Sequence, residues 1–275
     1  MLPPSTGTPG LDCEDTMPVY IGASGWQYRH WRADRFYPRG LKTVDELAFY
    51  AERFQVVEVN NTFYRLPQSG VFSKWAAGTP DDFIFVVKAS RFLTHIKRLK
   101  DPEEPVDRFM QRAKHLGRKL GPVLLQLPPN FPCDVARLEA ALAAFGKDVR
   151  LAVEFRHPSW FVDEVRATLE RRNAALCIAD RHSRLVTPGW RTADWGYIRF
   201  HEGSAMPHPC YGEAALESRA DLLSRLFGQG VDVYAFFNND PRGCAVRDAA
   251  LFAGAVEREG LEPTRVPAPI AVEQA

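Results

Sequence analysis

LAVEFRHPSW, residues 151–160, has the alternating polarity of a β-strand that is buried on one side. Every second residue from Leu151 to Phe155 is apolar, whereas Glu154 and Arg156 lie on the opposite face. Pro158 cannot donate a hydrogen bond to a sheet, so the strand should end just before it. We therefore predict a strand that carries a carboxylate and a guanidinium group at its carboxyl end.

Seven further stretches with strand character surround this one, and most are separated by segments with helical spacing of apolar residues. The predicted strands are residues 19–22, 56–60, 83–89, 122–127, 150–156, 174–180, 195–201 and 231–238. The predicted helices are residues 41–54, 70–77, 107–120, 135–145, 158–173, 213–227 and 247–259. Eight strands alternating with helices indicate an α/β protein with a single closed (β/α)8 TIM barrel. No GxGxxG motif follows the first strand, which argues against a dinucleotide-binding sheet.

The connection between the sixth and seventh strands lacks a helical pattern. Leu185 and Val186 within it can extend a hairpin instead. We expect the barrel to be irregular between these two strands and still to close.

The barrel domain is predicted to span residues 18–260 of the 275-residue chain. Residues 1–17 are interpreted as a disordered leader, because they lack the basic start and apolar centre of a signal peptide. Residues 261–275 are rich in proline and are interpreted as a loose tail. No apolar run approaches the roughly 20 residues that cross a bilayer, so we expect no membrane partner.

Composition restricts the classes of partner and the cellular compartment. The net charge of +1 argues against binding of nucleic acid through overall charge, although a local basic cleft is compatible with it. The five cysteines include no CxxC pair. An odd number of widely spaced cysteines fits reduced thiols in a cytoplasmic protein better than a disulfide framework or a zinc site.

Polar residues recur near the carboxyl ends of the strands, mostly on the face opposite the apolar set. In TIM barrels the active site lies at this end, so these side chains should converge in a ring. Its predicted members are Glu58, Asn60, Lys88, Gln126, Glu154, Arg156, Asp180, Tyr197, Arg199, His201 and Asn238. Such a ring can be a functional site or a buried ion-pair network that fixes strand register. We favour a functional site, because well-packed apolar residues would stabilise the barrel at least as much as an ion-pair network.

The residue types in this ring suit an anionic ligand. Arg156, Lys88 and Arg199 can hold a phosphate or a carboxylate. The remaining candidate binding residues are Asn60, Gln126, Asn238, Trp26 and Tyr64, of which the two aromatic ones either cap the barrel mouth or form a pocket wall. The candidate catalytic residues for acid–base chemistry are Glu154, Glu58, Asp180 and His201.

No metal or other cofactor is predicted at this ring. Its carboxylates and His201 have suitable chemistry for a divalent ion, but three cationic side chains would repel the ion and compete for the carboxylates. No HExxH or other compact ligand spacing occurs either. A divalent metal is therefore disfavoured.

Several motifs together resemble the family known as domain of unknown function 72, also described as YecE-like. They are GASGWQYRHW (22–31), VEVNNTFYRLP (57–67), FVVKASRFLTH (85–95), LLQLPPNF (124–131), VEFRHPSW (153–160), YIRFH (197–201), FFNND (236–240) and AVRDA (245–249). The resemblance spans residues 19–259 and implies a TIM barrel. Through a distant similarity to the endonuclease IV and xylose isomerase class of barrels, it also implies sugar-phosphate or nucleic-acid ligands. The chain departs from the family pattern at Asn61, where Ser is usual, and at Glu202, which separates His201 from Gly203 where His-Gly is usual.

The leading functional hypothesis is an enzyme that performs hydrolysis or proton transfer on a small anionic, phosphorylated substrate at the barrel mouth. The alternative is a non-catalytic nucleic-acid-binding protein that uses aromatic loops and a local basic cleft. A third hypothesis is a small-molecule sensor without turnover. The oligomeric state is left open.

Overall fold

A computed structural model describes residues 18–33 and 35–271 of the chain, so the predicted leader lies outside the described residues. The strands are β1 (Val19–Ala23), β2 (Val56–Val59), β3 (Ile84–Lys88), β4 (Leu120–Gln126), β5 (Leu151–Glu154), β6 (Ala175–Arg181), β7 (Arg184–Leu185), β8 (Gly196–Phe200) and β9 (Val233–Phe237). The helices are α1 (Glu46–Arg53), α2 (Asn61–Tyr64), α3 (Ser69–Ala77), α4 (Glu103–Ala113), α5 (Val135–Ala144), α6 (Asp163–Arg171), α7 (Glu213–Phe227) and α8 (Cys244–Arg258).

Eight parallel strands form a closed barrel in the order β5-β4-β3-β2-β1-β9-β8-β6, and pairing of β5 with β6 closes the ring. The short β7 pairs antiparallel with β6 and lies outside the ring. The predicted TIM barrel is therefore confirmed. None of the helices in the described part of the chain has the length and apolar character that a bilayer crossing requires.

Along each barrel strand, successive side chains point alternately to the outer helices and to the lumen. One set packs between the strands and the outer helices and includes Val57, Val153 and Ile198. The other set fills the lumen and includes Val56 and Ala152. The alternation predicted for residues 151–155 is thus present, with the apolar set facing the helices.

The connection from β6 to β8 contains the expected hairpin and no helix. Threonine side chains of this connection bond to the backbone of β6: Thr192 Oγ1 accepts from Leu176 N at 2.8 Å, and Thr187 Oγ1 accepts from Ala179 N at 2.9 Å. The connection therefore packs along β6 and satisfies backbone groups that would otherwise be buried without a partner.

The predicted helix over residues 107–120 has different limits in the structure. It begins earlier, at Glu103, and α4 ends at Ala113. A tighter turn over Lys114–Lys119 follows, and it contains Gly117 at φ 59° and ψ −133°, a non-helical conformation that favours glycine.

Two of the cysteines differ from the expectation of reduced thiols. Cys210, in the loop after β8, and Cys244, the first residue of α8, form a disulfide with a Cα–Cα distance of 4.9 Å. They are 34 residues apart, so the sequence spacing did not indicate the pair. Cys133 and Cys177 are free thiols.

The segment after α8, expected to be loose, is attached to the amino-terminal end of the barrel. Val19 N donates to Glu262 O at 2.7 Å, and Thr264 N donates to Val19 O at 2.9 Å. Arg265 Nη1 pairs with Asp82 at 2.8 Å. Residues 262–265 therefore belong to the folded body.

Gly22 permits a close approach between β1 and β2. A Cβ atom at this position would clash with the carbonyl oxygen of Val56 and lie 3.0 Å from Val56 Cγ1. We expect Gly22→Ala to lower the free energy of unfolding by about 1–3 kcal/mol, because the strands would have to move apart. Urea denaturation followed by circular dichroism measures this change.

Gly70→Ala is the matched control, because no atom lies within 4 Å of a Cβ built at this exposed position in α3. It should leave the stability unchanged or raise it by up to about 1 kcal/mol. An equal loss of stability in both variants would contradict a steric role for Gly22.

Candidate active site

Arg199 links two carboxylates across the barrel lumen. Its Nη2 donates to Glu58 Oε1 and its Nη1 to Glu154 Oε2, both at 2.6 Å. All three side chains are essentially inaccessible to solvent. Burial of a charge is costly unless it is paired, and here each carboxylate shares the same guanidinium group.

The strands that carry these side chains are not neighbours in the sheet. Glu58 is on β2, Glu154 on β5 and Arg199 on β8, and all three share the parity that faces the lumen. The two ion pairs therefore span the barrel, whereas Gln126 and Glu154 are adjacent through the pairing of β4 with β5.

Both oxygens of Glu154 accept several hydrogen bonds. Oε2 accepts from Arg199 and, at 2.8 Å, from Gln126 Nε2. Oε1 accepts from Arg156 Nε at 3.0 Å and contacts His201 Nε2 at 3.1 Å. Burial alone would raise the pKa of Glu154, but the interactions with His201, Arg199 and Arg156 more than offset it and hold the pKa well below its usual range. Glu154 is therefore ionised at neutral pH.

His201 connects Glu154 to the end of β9. Asn238 Nδ2 lies 3.4 Å from His201 Nδ1, so the amide donates to Nδ1 and the proton of the neutral ring resides on Nε2, facing Glu154. Burial lowers the pKa of His201, and the attraction of Glu154 does not fully offset this effect. The imidazole is thus a neutral hydrogen-bond donor at neutral pH.

A cavity of about 550 Å³ opens above the ion pairs at the carboxyl ends of the strands. Its lining includes Tyr28, Asn60, Asn61, Phe63, Tyr64, Lys88, Arg91, His95, Gln126, Arg156, Arg199 and Asn238. This position is where TIM barrels carry their active sites, and the volume suits a small-molecule ligand.

Lys88 is a buried cationic side chain of this cavity. Its side chain is 7% exposed and its Nζ lies 4.3 Å from the ring centre of Phe63. Across residues 18–33 and 35–271, no carboxylate pairs with it. Burial and the neighbouring charge of Arg199 lower the pKa of Lys88 to about 8.

The segment after β3 contributes cavity residues that were not among the candidates from the sequence. Arg91 and His95 both line the cavity, and His95 packs edge-on against Phe63. Burial and the charge of Lys88 lower the pKa of His95 to about 4. The motif FVVKASRFLTH contains both residues, and their four-residue spacing places them on one face of a helical turn; this signal could have identified them.

A second cavity of about 280 Å³ lies beside the first. Glu154 and His201 line it together with the apolar Phe161 and Val186. Arg156 lines both cavities, so its guanidinium group forms part of the wall between them.

Most of the candidate residues converge at the barrel mouth. Those in or directly beneath the cavities are Glu58, Asn60, Tyr64, Lys88, Gln126, Glu154, Arg156, Arg199, His201 and Asn238. The ion-pair network that was the alternative to a functional site is also present, because Arg199 pairs with Glu58 and Glu154. Glu58 also accepts a hydrogen bond from Tyr197.

Asp180 lies apart from this group, which corrects one of the sequence assignments. Asp180 faces the helix layer, where it accepts from Arg219 Nε at 2.7 Å and from Tyr211 Oη at 2.8 Å. It follows Ala179 on β6, and Ala179 has the lumen parity instead. Trp26 does not line the main cavity; it packs edge-on against Trp75 and lines a smaller pocket together with Ser24 and Asn60.

Comparisons with known proteins point to one family. Residues 20–271 match the family described as Protein of unknown function DUF72. The chain is 28% identical to the UPF0759 protein YunF of Bacillus subtilis over 90% of this chain and 99% of that protein. It is 32% identical to the UPF0759 protein YecE of Escherichia coli over 56% of this chain and 54% of that protein. The crystal structure of a DUF72 family protein of Thermotoga maritima, TM1631, is similar with a TM-score of 0.76 and 30% identity, covering 87% of this chain and 99% of that one.

Removal of the shared guanidinium group should strongly destabilise the protein. Arg199→Met leaves Glu58 and Glu154 buried without their common cation, and we expect a loss of about 3–5 kcal/mol in the free energy of unfolding. Chemical denaturation measures this loss. Arg91→Met is the control, because Arg91 is exposed at the same mouth and should change stability by no more than about 0.5 kcal/mol. A loss for Arg199→Met as small as that of the control would contradict the importance of the ion pairs.

Proposed function

This chain belongs to the DUF72 family, and from the charges at the mouth of its TIM barrel we propose that it is an enzyme that performs acid–base chemistry on a small phosphorylated substrate. The observation that carries the proposal is the buried Lys88, which lines a cavity of about 550 Å³ without a carboxylate partner among the described residues.

The charges around the cavity favour an anion. Four cationic side chains, Lys88, Arg91, Arg156 and Arg199, line it. Among the described residues, only Glu58 and Glu154 lie close enough to Arg199 or Arg156 to pair with them, so positive charge is in excess. Arginine and lysine are the usual ligands of phosphate groups.

Unpartnered polar atoms near the cavity suit the hydroxyl groups of such a substrate. Ser24 Oγ and Asn60 Oδ1 are buried and have no hydrogen-bond partner within the described residues. They line a smaller adjoining pocket, and Asn60 also lines the main cavity. A buried oxygen without a partner is unfavourable, so a ligand that donates or accepts a hydrogen bond there gains affinity.

We assign the proton transfer to Lys88. A group with a pKa of about 8 is present in both protonation states near neutral pH, which suits a general acid or base. Glu154 is less suited to this role, since it is ionised and its oxygens are occupied by four donors. In this proposal Glu154 and His201 position Arg156 and Asn238 around the substrate.

The proposal includes no metal ion among the side chains of the mouth. The oxygens of Glu58 and Glu154 are bonded to Arg199 and other donors, so an ion would have to displace a buried guanidinium group. The excess positive charge of the cavity opposes the same step.

Anion binding should depend on Lys88. Lys88→Met removes one charged donor, which is worth about 1.5–3 kcal/mol, so we expect the affinity for sulfate to fall roughly 10- to 150-fold. Isothermal titration calorimetry with sulfate measures this change. Sulfate remains a dianion on both sides of pH 8, so its charge does not change there. Wild-type affinity for sulfate should therefore also fall as pH rises through about 8, where Lys88 loses its proton.

The matched control is Lys74→Met, at an exposed position of α3. It should bind sulfate like the wild type, with the same pH dependence, whereas Lys88→Met should lose this dependence. Equal affinities of Lys88→Met and Lys74→Met would refute the anion site. Phosphorylated compounds that compete with sulfate can then be followed by 31P NMR. If none of these competitors is converted, the site binds phosphate without catalysis and the proposed enzymatic activity is wrong.

The exposed Tyr64 favours nucleic acid as a second candidate ligand. Its side chain is 78% exposed at the rim of the main cavity. Next to it, a surface pocket is lined by Phe92, Arg108 and Arg112. An exposed aromatic ring beside arginines can stack on a base while the cations contact phosphate groups.

Single-strand binding distinguishes this candidate. Tyr64→Ala should weaken binding of a fluorescein-labelled oligothymidylate by about 1–3 kcal/mol, the usual contribution of one stacked base, as measured by fluorescence anisotropy. Affinity should also fall steeply with salt concentration. Val44→Ala, at an equally exposed apolar residue, should have no effect. Absent or salt-independent binding by the wild type would exclude nucleic acid as the ligand.

A further inference from the structure

Three metal-ligating side chains cluster at the rim of the barrel, outside the cavities described above. Glu202 Oε1 lies 2.9 Å from His208 Nε2, and Glu202 Oε2 lies 3.5 Å from His182 Nε2. One ligand atom from each of the three residues lies within 4.8 Å of the other two. We call these residues the rim triad.

The fold brings the rim triad together from two segments, the turn between β6 and β7 and the loop after β8. His182 and Ser183 form the two-residue turn between β6 and β7, with φ values of 52° and 57°. Both residues thus occupy left-handed conformations, as a type I′ turn requires, although glycine or asparagine is usual there. The turn is attached to the segment after β8, because Ser183 N donates to Glu202 O at 3.3 Å.

The loop that carries His208 is fastened at several points. Gly203 N donates to Pro209 O at 2.9 Å, and Ala205 N donates to Cys210 O at 3.0 Å. Asn239 Nδ2 also donates to Pro209 O, at 3.1 Å. The disulfide between Cys210 and Cys244 ties the same loop to α8. The position of His208 is therefore set by the fold.

Glu202 differs from Glu154 and Asp180 in its partners. Those two carboxylates pair with arginines. The carboxylate of Glu202 contacts the imidazoles of His182 and His208, and no arginine or lysine pairs with it among the described residues. Its side chain is 29% exposed, and those of His182 and His208 are 61% and 54% exposed, so an ion in solvent can reach the triad.

We propose that His182, Glu202 and His208 form a binding site for a divalent transition-metal ion of the zinc class. Two imidazoles and one carboxylate are a ligand set of catalytic zinc centres, in which water fills the remaining open position. Two donors bound at about 2.1 Å to a tetrahedral ion lie about 3.4 Å apart, which falls within the spacing of the rim triad. Imidazole ligands select zinc, nickel or copper over magnesium and calcium.

The rim triad shares no residue with the proposed phosphate site, so either proposal can fail alone.

Zinc titration of the untagged full-length protein tests the site. Calorimetry without reductant, which preserves the disulfide, should show one tight Zn²⁺ site in the wild type. The variant with both His182→Ala and His208→Ala should bind at least about 100-fold more weakly, because even outer-shell changes cost 10- to 100-fold. Co²⁺ bound to the wild type should give visible absorption bands that the double variant lacks. Mg²⁺ and Ca²⁺ should not compete.

The controls separate binding at this site from binding at other histidines. His115→Ala removes an exposed histidine elsewhere and should bind Zn²⁺ like the wild type. Glu202→Gln keeps the shape of the side chain and should also weaken binding, which keeps the test valid if the double variant misfolds. Wild-type protein that binds no Zn²⁺ at micromolar concentration, or a Glu202→Gln variant that binds as tightly as the wild type, would overturn the proposal.

Discussion

The ion pairs of Arg199 with Glu58 and Glu154 are the constraint on which the barrel mouth depends. A guanidinium group buried in the lumen requires compensation, and two carboxylates from distant strands supply it. This arrangement fixes both carboxylates at the base of the cavity and leaves Lys88 without a carboxylate partner among the described residues. The cavity is thus positively charged because the two carboxylates of the lumen are already paired with Arg199.

Strand periodicity explains why much of the mouth could be predicted. In an extended strand every second residue faces the same side, so the polar parity of residues 151–156 identified Glu154 and Arg156 without knowledge of the fold. The same reasoning placed Lys88 and Arg199 in the lumen. Periodicity does not state which side chains meet, because the contacts of Arg199 on β8 with Glu58 on β2 and Glu154 on β5 depend on strand order and closure.

The remaining differences have separate causes. Asp180 shares the parity of the helix-facing Leu176 and Ile178 on β6, and it therefore faces α7, where Arg219 binds it. His95 lies in a helical turn after β3, so the two-residue periodicity of a strand does not apply to it. Cys210 and Cys244 meet only because the loop after β8 folds back on α8. The disulfide depends on tertiary contacts that no local sequence pattern encodes.

Arg156 gives the two cavities a common wall, and this makes them thermodynamically linked. A ligand that draws the guanidinium group into one cavity removes that charge from the other. Two anions that never touch would then compete for a single cation, so occupation of one compartment lowers affinity in its neighbour by the same factor in both directions. If both cavities bind anions, the barrel mouth would therefore hold one of them at the expense of the other.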